Sequence, residues 1–404
     1  MTPTINIDFY SLVLFLGGCQ GLVFALLLLF KPQAKRAINV YLAFILISLS
    51  FETLHQFLLQ TQYIYQFKYL VGFILPFDAL IGISLYWYVR VITQPEKDHS
   101  AKRVLAHYSI FFCCVILSFP YWFMGFDDKL SLMTSGIVSS DWSSYVYYST
   151  LAQVPIKIIS FIVYLILSIR LLLQHKQRIR AIFSNTEKIT LNWLSLLLIV
   201  FVLGLINGLA VLLFFQDFPE ATQVMGYMGV FSIAAAFYIG VMGLLQPVIY
   251  LRDESSFLEN DVPAEQNTSK NKTETEIDIG KYKKSALSDT DMQRIASKLD
   301  AQMKTQQLYL DSDLTLPKLA ASIAISSNYL SQTLNIHYQC NFFDYVNRLR
   351  VEYAQSLFCN SEKENFNVLD VALESGFNSR STFYSAFKNI VGMTPAQFKK
   401  SHRS

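Results

Sequence analysis

Long apolar runs fill the first 250 positions, and a mixed polar pattern replaces them over the rest of the chain. Crossing hydrocarbon takes roughly 20 apolar residues at about 1.5 Å each. Stretches of that kind are 9–30, 37–59, 69–94, 105–126, 148–173, 190–215 and 225–250, which predicts seven transmembrane helices. Gly17-Gly18, Pro76, Pro155 and Pro247 fall inside or near these runs, and membrane helices tolerate them. The first run lacks a positive leader segment and is too long for a cleaved signal peptide. From about residue 288 the periodicity becomes that of short amphipathic helices.

Loop charge gives the expected orientation. Lys31, Lys35 and Arg36 follow the first run. Arg90, Lys97, Lys102 and Arg103 follow the third, and Arg170, Lys176, Arg178, Arg180 and Lys188 follow the fifth. The alternate loops hold Lys68, Lys129, Asp217 and Glu220. The positive-inside rule then places the N-terminus outside and residue 251 onward in the cytoplasm. The expectation is a multi-pass protein of the cell (inner) membrane with residues 1–8 outside, a sensory domain at 9–251, a linker at 252–287 and a reading head at 288–404. The linker is rich in Ser, Thr, Asn, Lys and Glu and too polar to bury a core, so it reads as a spacer or tether.

The reading head contains an internal repeat. Leu319-Ala320-x-x-x-Ala324-Ile325-Ser326-Ser327 recurs as Val371-Ala372-x-x-x-Gly376-Phe377-Asn378-Ser379. Each copy supplies small residues where helices cross and turn, an apolar plug, and a polar N-cap, which is what a helix-turn-helix requires. Ser288 with Asp291, and Thr315 ahead of Pro317, mark two further helix starts. After the first turn Leu330 and Leu334 face inward, leaving Ser327, Asn328, Ser331, Gln332 and Asn335 as candidate DNA contacts. After the second turn Phe383 and Phe387 face inward, and Ser379, Arg380, Ser381, Thr382, Ser385 and Lys388 are the candidates. Arg pairs with guanine, and Asn or Gln with adenine, in the major groove. The alternative is a pair of merely solvated helix faces.

These residues resemble the AraC-type transcription regulator family over about 288–402. The resemblance rests on Gly376-Phe377-Asn378-Ser379-Arg380-Ser381-Thr382-Phe383 with Phe387-Lys388, Gly392 and Thr394-Pro395-x-x-Phe398. It also includes Tyr329-Leu330-Ser331-Gln332 and the helix from Phe342 through Arg348, Arg350 and Ala354. The resemblance implies two helix-turn-helix units on one bridging helix, entering successive major grooves of double-stranded operator DNA. Two positions depart from the family: Ser385 stands where Arg is usual, and Gln339 where glycine is common. Basic and acidic residues nearly balance in this domain, so binding is expected to lean on Arg348, Arg350, Arg380, Lys388, helix N-termini and pairing as a homodimer.

Ionisable groups inside apolar runs are costly and usually have a purpose. Glu52, His55, Asp78 and Lys157, with Asn207 as a polar companion, are candidates for a pocket that takes an unknown signal ligand. A structural network, with Asp78 paired to Lys157, is the competing reading. Span 7 has no Lys, so Lys157 does not point to a retinal Schiff base. The five cysteines lack zinc or disulfide spacing. Phosphate-binding loops, HExxH and GxSxG are absent from the sequence, so no enzyme, metal or cofactor is expected. The fold expected is all-α: a seven-helix transmembrane bundle followed by a cytoplasmic double helix-turn-helix. The function expected is a membrane-embedded one-component transcription regulator. Transporter-like or partner-protein-sensing spans, with DNA binding as a secondary readout, are the alternatives.

Overall fold

The computed structural model describes residues 5–31, 36–67, 70, 72–94, 100–129, 143–186, 191–210, 221–245, 287–359 and 366–402. Nearly all of the expected linker, 252–286, lies outside these residues. The described residues are helical throughout apart from turns and one isolated bridge between Phe183 and Thr315. They divide into two compact units, one holding residues 1–174 and 191–248, the other 175–190 and 249–404.

In the first unit, α1 (Phe9–Phe30), α2 (Arg36–Gln60), α3 (Ala79–Thr93), α4 (Ala101–Phe123), α5 (Ser143–Ile182), α6 (Asn192–Ala210) and α7 (Ala221–Leu245) coincide with the seven apolar runs; α5 ends in the second unit. Four of them, α1, α2, α4 and α5, are long and apolar enough to cross a membrane; described parts of α3, α6 and α7 are shorter apolar helices. The third run departs most from expectation. Its residues 72–78 form turns around Pro76, and the helix begins only at Ala79. Proline removes a donor and biases its predecessor away from helix, which delays the start. Helix α1 presents Gly17 and Gly21 to its neighbours. A Cβ on Gly17 would overlap Ile233 of α7, and one on Gly21 would overlap Ser50 of α2. Small residues four apart thus let three helices approach closely.

The second unit holds α8 (Asp289–Gln306), α9 (Leu316–Ser322), α10 (Ser327–Ile336), α11 (Phe342–Cys359), α12 (Val368–Glu374), α13 (Arg380–Val391) and α14 (Pro395–Ser401). Ser288 caps α8 by accepting from the Asp291 amide at 3.2 Å, and Thr315 caps α9, with Pro317 in its first turn, as the sequence predicts. Two cores form, one on the N-terminal half of α11 and one on its C-terminal half. Leu299, Leu319, Leu330, Leu334 and Phe342 build one; Ala354, Val371, Phe377, Phe383, Phe387 and Phe398 build the other. Each fully buried Phe or Leu contributes roughly 1.5–3 kcal/mol relative to exposure.

Candidate nucleic-acid interface and ligand cavity

The two helix-turn-helix units close with the same hydrogen bonds. In the first, Ala324 N–H donates to Ala321 O at 3.1 Å and Ile325 N–H to Ala320 O at 3.1 Å. In the second, Gly376 N–H donates to Leu373 O at 3.0 Å and Phe377 N–H to Ala372 O at 3.0 Å. Both turn residues are left-handed, Ala324 at φ 55° and Gly376 at φ 81°. The caps then fall out of step. Ser326 caps α10 by accepting from Tyr329 N–H at 3.3 Å, whereas α13 is capped by Ser379, accepting from Thr382 N–H at 3.2 Å, and not by Asn378. The second turn is therefore one residue longer than the first. Counted from the caps, Leu330 matches Phe383 and Leu334 matches Phe387, and all four are fully buried.

Fixing those four positions inward leaves a polar stripe outward on each helix. On α10, Asn328 and Asn335 are exposed and Ser331 and Gln332 half-buried. On α13, Arg380, Ser381, Ser385 and Lys388 are exposed and Thr382 is half-buried. Arg380 lies 5.0 Å over the Tyr384 ring and donates to its hydroxyl at 3.3 Å, so the guanidinium stands beside the helix start. Both helices begin with capped N-termini, where the helix dipole favours phosphate.

Two expectations need correction. Ser327 is only 3% exposed, because it opens α10 on its inner side while Ser326 takes the cap. Arg350 is 1% exposed and so cannot reach a duplex. Its Nε donates to Tyr309 O at 2.6 Å and its Nη2 to Asp311 O at 2.8 Å, and its guanidinium lies 5.7 Å from the Phe377 ring. Burial pulls Arg350 down to about 10, opposed by nearby Asp311 and Asp313, which leaves it charged at neutral pH. It joins the two cores. Arg348 on the same helix is exposed. Tyr329, which belongs to the family resemblance but not to the candidate contacts, is 42% exposed on α10 beside the polar candidates. An aromatic next to Asn328 in a recognition helix was the available signal. Gln339 adopts φ 56°, which explains why glycine suits that place.

In the first unit, Glu52, Asp78 and Lys157 line one cavity of about 390 Å³. Lys157 Nζ lies 3.3 Å from Asp78 Oδ2 and donates to Leu75 O at 3.0 Å. Ser232 donates to Glu52 Oε2 at 3.3 Å. Val154, Ile158, Phe161, Phe201 and Phe231 supply apolar walls. The ion pair of the structural reading and the cavity of the pocket reading thus share the same side chains. His55 lies off this cavity with its Nε2 buried and unpartnered. The side chain of Asn207 lies outside the described residues. Among the described residues no cluster of His, Cys, Asp or Glu could hold a metal ion.

Residues 319–401 match a family described as a helix-turn-helix domain. Over 90 residues the chain is 32% identical to the melibiose operon regulatory protein of Escherichia coli (strain K12), covering 22% of this chain and 29% of that protein. An uncharacterized HTH-type transcriptional regulator of Staphylococcus aureus (strain COL) is 27% identical over 93 residues, 23% of this chain and 12% of the relative. A solved structure of a Listeria innocua protein of unknown function is 28% identical, over 27% of this chain and 96% of that chain, with a TM-score of 0.23. The chain spans less than a third of the length of these curated relatives. At its C-terminal end it carries an AraC-type helix-turn-helix domain, of the kind found in transcriptional regulators.

Proposed function

We propose that this chain is a membrane-embedded, one-component transcription regulator and not an enzyme. Its seven apolar helices cross the cell membrane with the N-terminus outside, and its AraC-type domain binds operator DNA on the cytoplasmic side as one of a pair. A signal that enters the cavity around Glu52, Asp78 and Lys157 shifts the helices between two arrangements. Such a signal must bind the two arrangements with different affinity. Asn328, Gln332, Asn335, Arg380 and Ser381 read base edges, while Lys388 and the two capped helix N-termini hold phosphates.

The observation that carries the reading is the coexistence on one chain of two capped helices with outward polar stripes and a set of apolar helices enclosing ionisable side chains. Full-length chain in lipid nanodiscs, titrated with the promoter fragment upstream of its own gene, tests it. Binding to that fragment is expected to exceed binding to a shuffled duplex by roughly 1,000-fold or more at physiological salt. Equal binding to both would remove sequence-specific reading. The same cavity is also what a solute path would need, and uptake of a labelled solute into liposomes would favour a transporter-like role for the spans.

A further inference from the structure

Helix α5 is 40 residues long, or roughly 60 Å, about twice what a crossing needs. Its residues up to Gln174 belong to the first compact unit, and those from His175 belong to the second, together with the helix-turn-helix domain. The helix is unbroken across that division. Past its end, the chain meets the DNA-binding domain directly. Phe183 forms an antiparallel bridge with Thr315, the cap of α9. Ser184 is fully buried there; its N–H donates to Leu314 O at 3.3 Å, and its hydroxyl donates to the same oxygen at 2.6 Å.

Arg350 completes the junction. Its Nη1 donates to Ser184 O at 3.4 Å and its Nη2 to Ser184 Oγ at 3.2 Å. The remaining described acceptors are Tyr309 O and Asp311 O, so Ser184 supplies two of the four oxygens around a buried charge. One turn earlier, Arg180 lies 5.7 Å over the ring of Phe343, at the start of α11. The contacts therefore fall on the first helix of one reading unit and on the helix that bridges both. A buried guanidinium stripped of half its acceptors must find water or shift. Without Ser184 the guanidinium would keep only Tyr309 O and Asp311 O among these acceptors.

We propose that Phe183 and Ser184 form a latch through which helix α5 sets the arrangement of the two helix-turn-helix units. Docked, the latch holds α9 and α11 in one register by way of Thr315 and Arg350. Released, it frees α11 to reset the spacing of the recognition helices. The inference rests on the reading of the domain as a DNA binder and adds the route by which the rest of the chain reaches it.

The test is a full-length chain in lipid nanodiscs carrying Phe183→Cys and Thr315→Cys. Residues paired across an antiparallel bridge lie within the Cα separation that a disulfide spans. Mild oxidation is expected to give a disulfide-linked peptide pair by mass spectrometry. Operator affinity, measured on the promoter fragment, is expected to differ at least fivefold between the oxidised and reduced forms. Ser184→Ala, which leaves the fold of α9 and its cap intact, is expected to shift affinity at least threefold. Failure of the linked peptide to form, although both cysteines react with maleimide, overturns the latch. So does a linked form whose affinity matches the reduced form. Loss of specific binding in the parent chain would instead overturn the DNA-reading assignment, and the linked peptide would still judge the latch.

Discussion

Exchanging the two turn residues should move stability in opposite directions. Gly376 sits at φ 81°, where a side chain costs about 1–2 kcal/mol. A Cβ there would lie 2.8 Å from both Tyr309 O and Leu310 O and 2.9 Å from Leu310 Cα, all backbone atoms that cannot rotate away. Overpacking of that kind adds roughly 1–3 kcal/mol, and the stiffer unfolded chain returns about 0.4–1 kcal/mol. Gly376→Ala should therefore cost about 1–4.6 kcal/mol. The damage should spread, because Tyr309 O is also an acceptor for Arg350. Ala324 holds φ 55° with a side chain already in place, so Ala324→Gly relieves about 1–2 kcal/mol and loses about 0.4–1 kcal/mol to unfolded-state entropy. Hydrogen exchange of peptides from 288–402 in the full-length chain, followed through a urea series, reads both. A Gly376→Ala cost below about 0.5 kcal/mol, or an Ala324→Gly penalty of that size, would refute the shared left-handed turn.

Three further outcomes follow from the same geometry. Arg380→Ala should weaken operator binding by about 1–3 kcal/mol and relax preference at one base position, whereas Lys388→Ala should weaken all sequences alike and reduce the salt slope by about 1, as read by titrations at several salt concentrations. Asn347 is buried with neither amide atom hydrogen-bonded, so Asn347→Leu should be neutral or stabilising by up to about 2 kcal/mol in the same urea series; a loss above about 1 kcal/mol would reveal a partner for the amide. Lys157→Met should lower the amount of folded chain in membranes by leaving Asp78 unpaired, and adding Asp78→Asn should restore it; quantitative blotting of membrane fractions decides, and an additive loss in the double variant would deny the ion pair.

Much of this molecule was legible in the sequence where a single local rule governs the outcome. Apolar run length marked the places of α1 to α7, and Ser288 and Thr315 marked helix starts because N-cap chemistry is local. Leu330, Leu334, Phe383 and Phe387 followed from helical spacing. The misses are non-local or turn on one residue. Arg350 looks like a DNA contact by type and helix, but its acceptors come from Tyr309, Asp311 and a serine 166 residues away. Ser326 and Ser327 are equally good caps on paper, and only the length of the turn chooses between them. The late start of α3 reflects turns around Pro76 inside a run whose composition alone reads as helix. The cavity joins side chains from α2, α5, α6 and α7 with Asp78 at the head of α3, and no spacing in the chain announces their meeting.

Recovery of DNA with the intact chain from membranes tests the central proposal most directly. Cells are cross-linked, membranes are separated from the soluble fraction, and DNA bound to full-length chain is sequenced from each. Fragments sharing one bipartite motif should be enriched with the membrane-borne chain, with half-sites about one helical turn (~34 Å) apart, and in Arg380→Ala that enrichment should fall and the motif lose its preference at one base position. A chain confined to the soluble fraction, or membrane-borne chain whose DNA matches the genomic background, would contradict it.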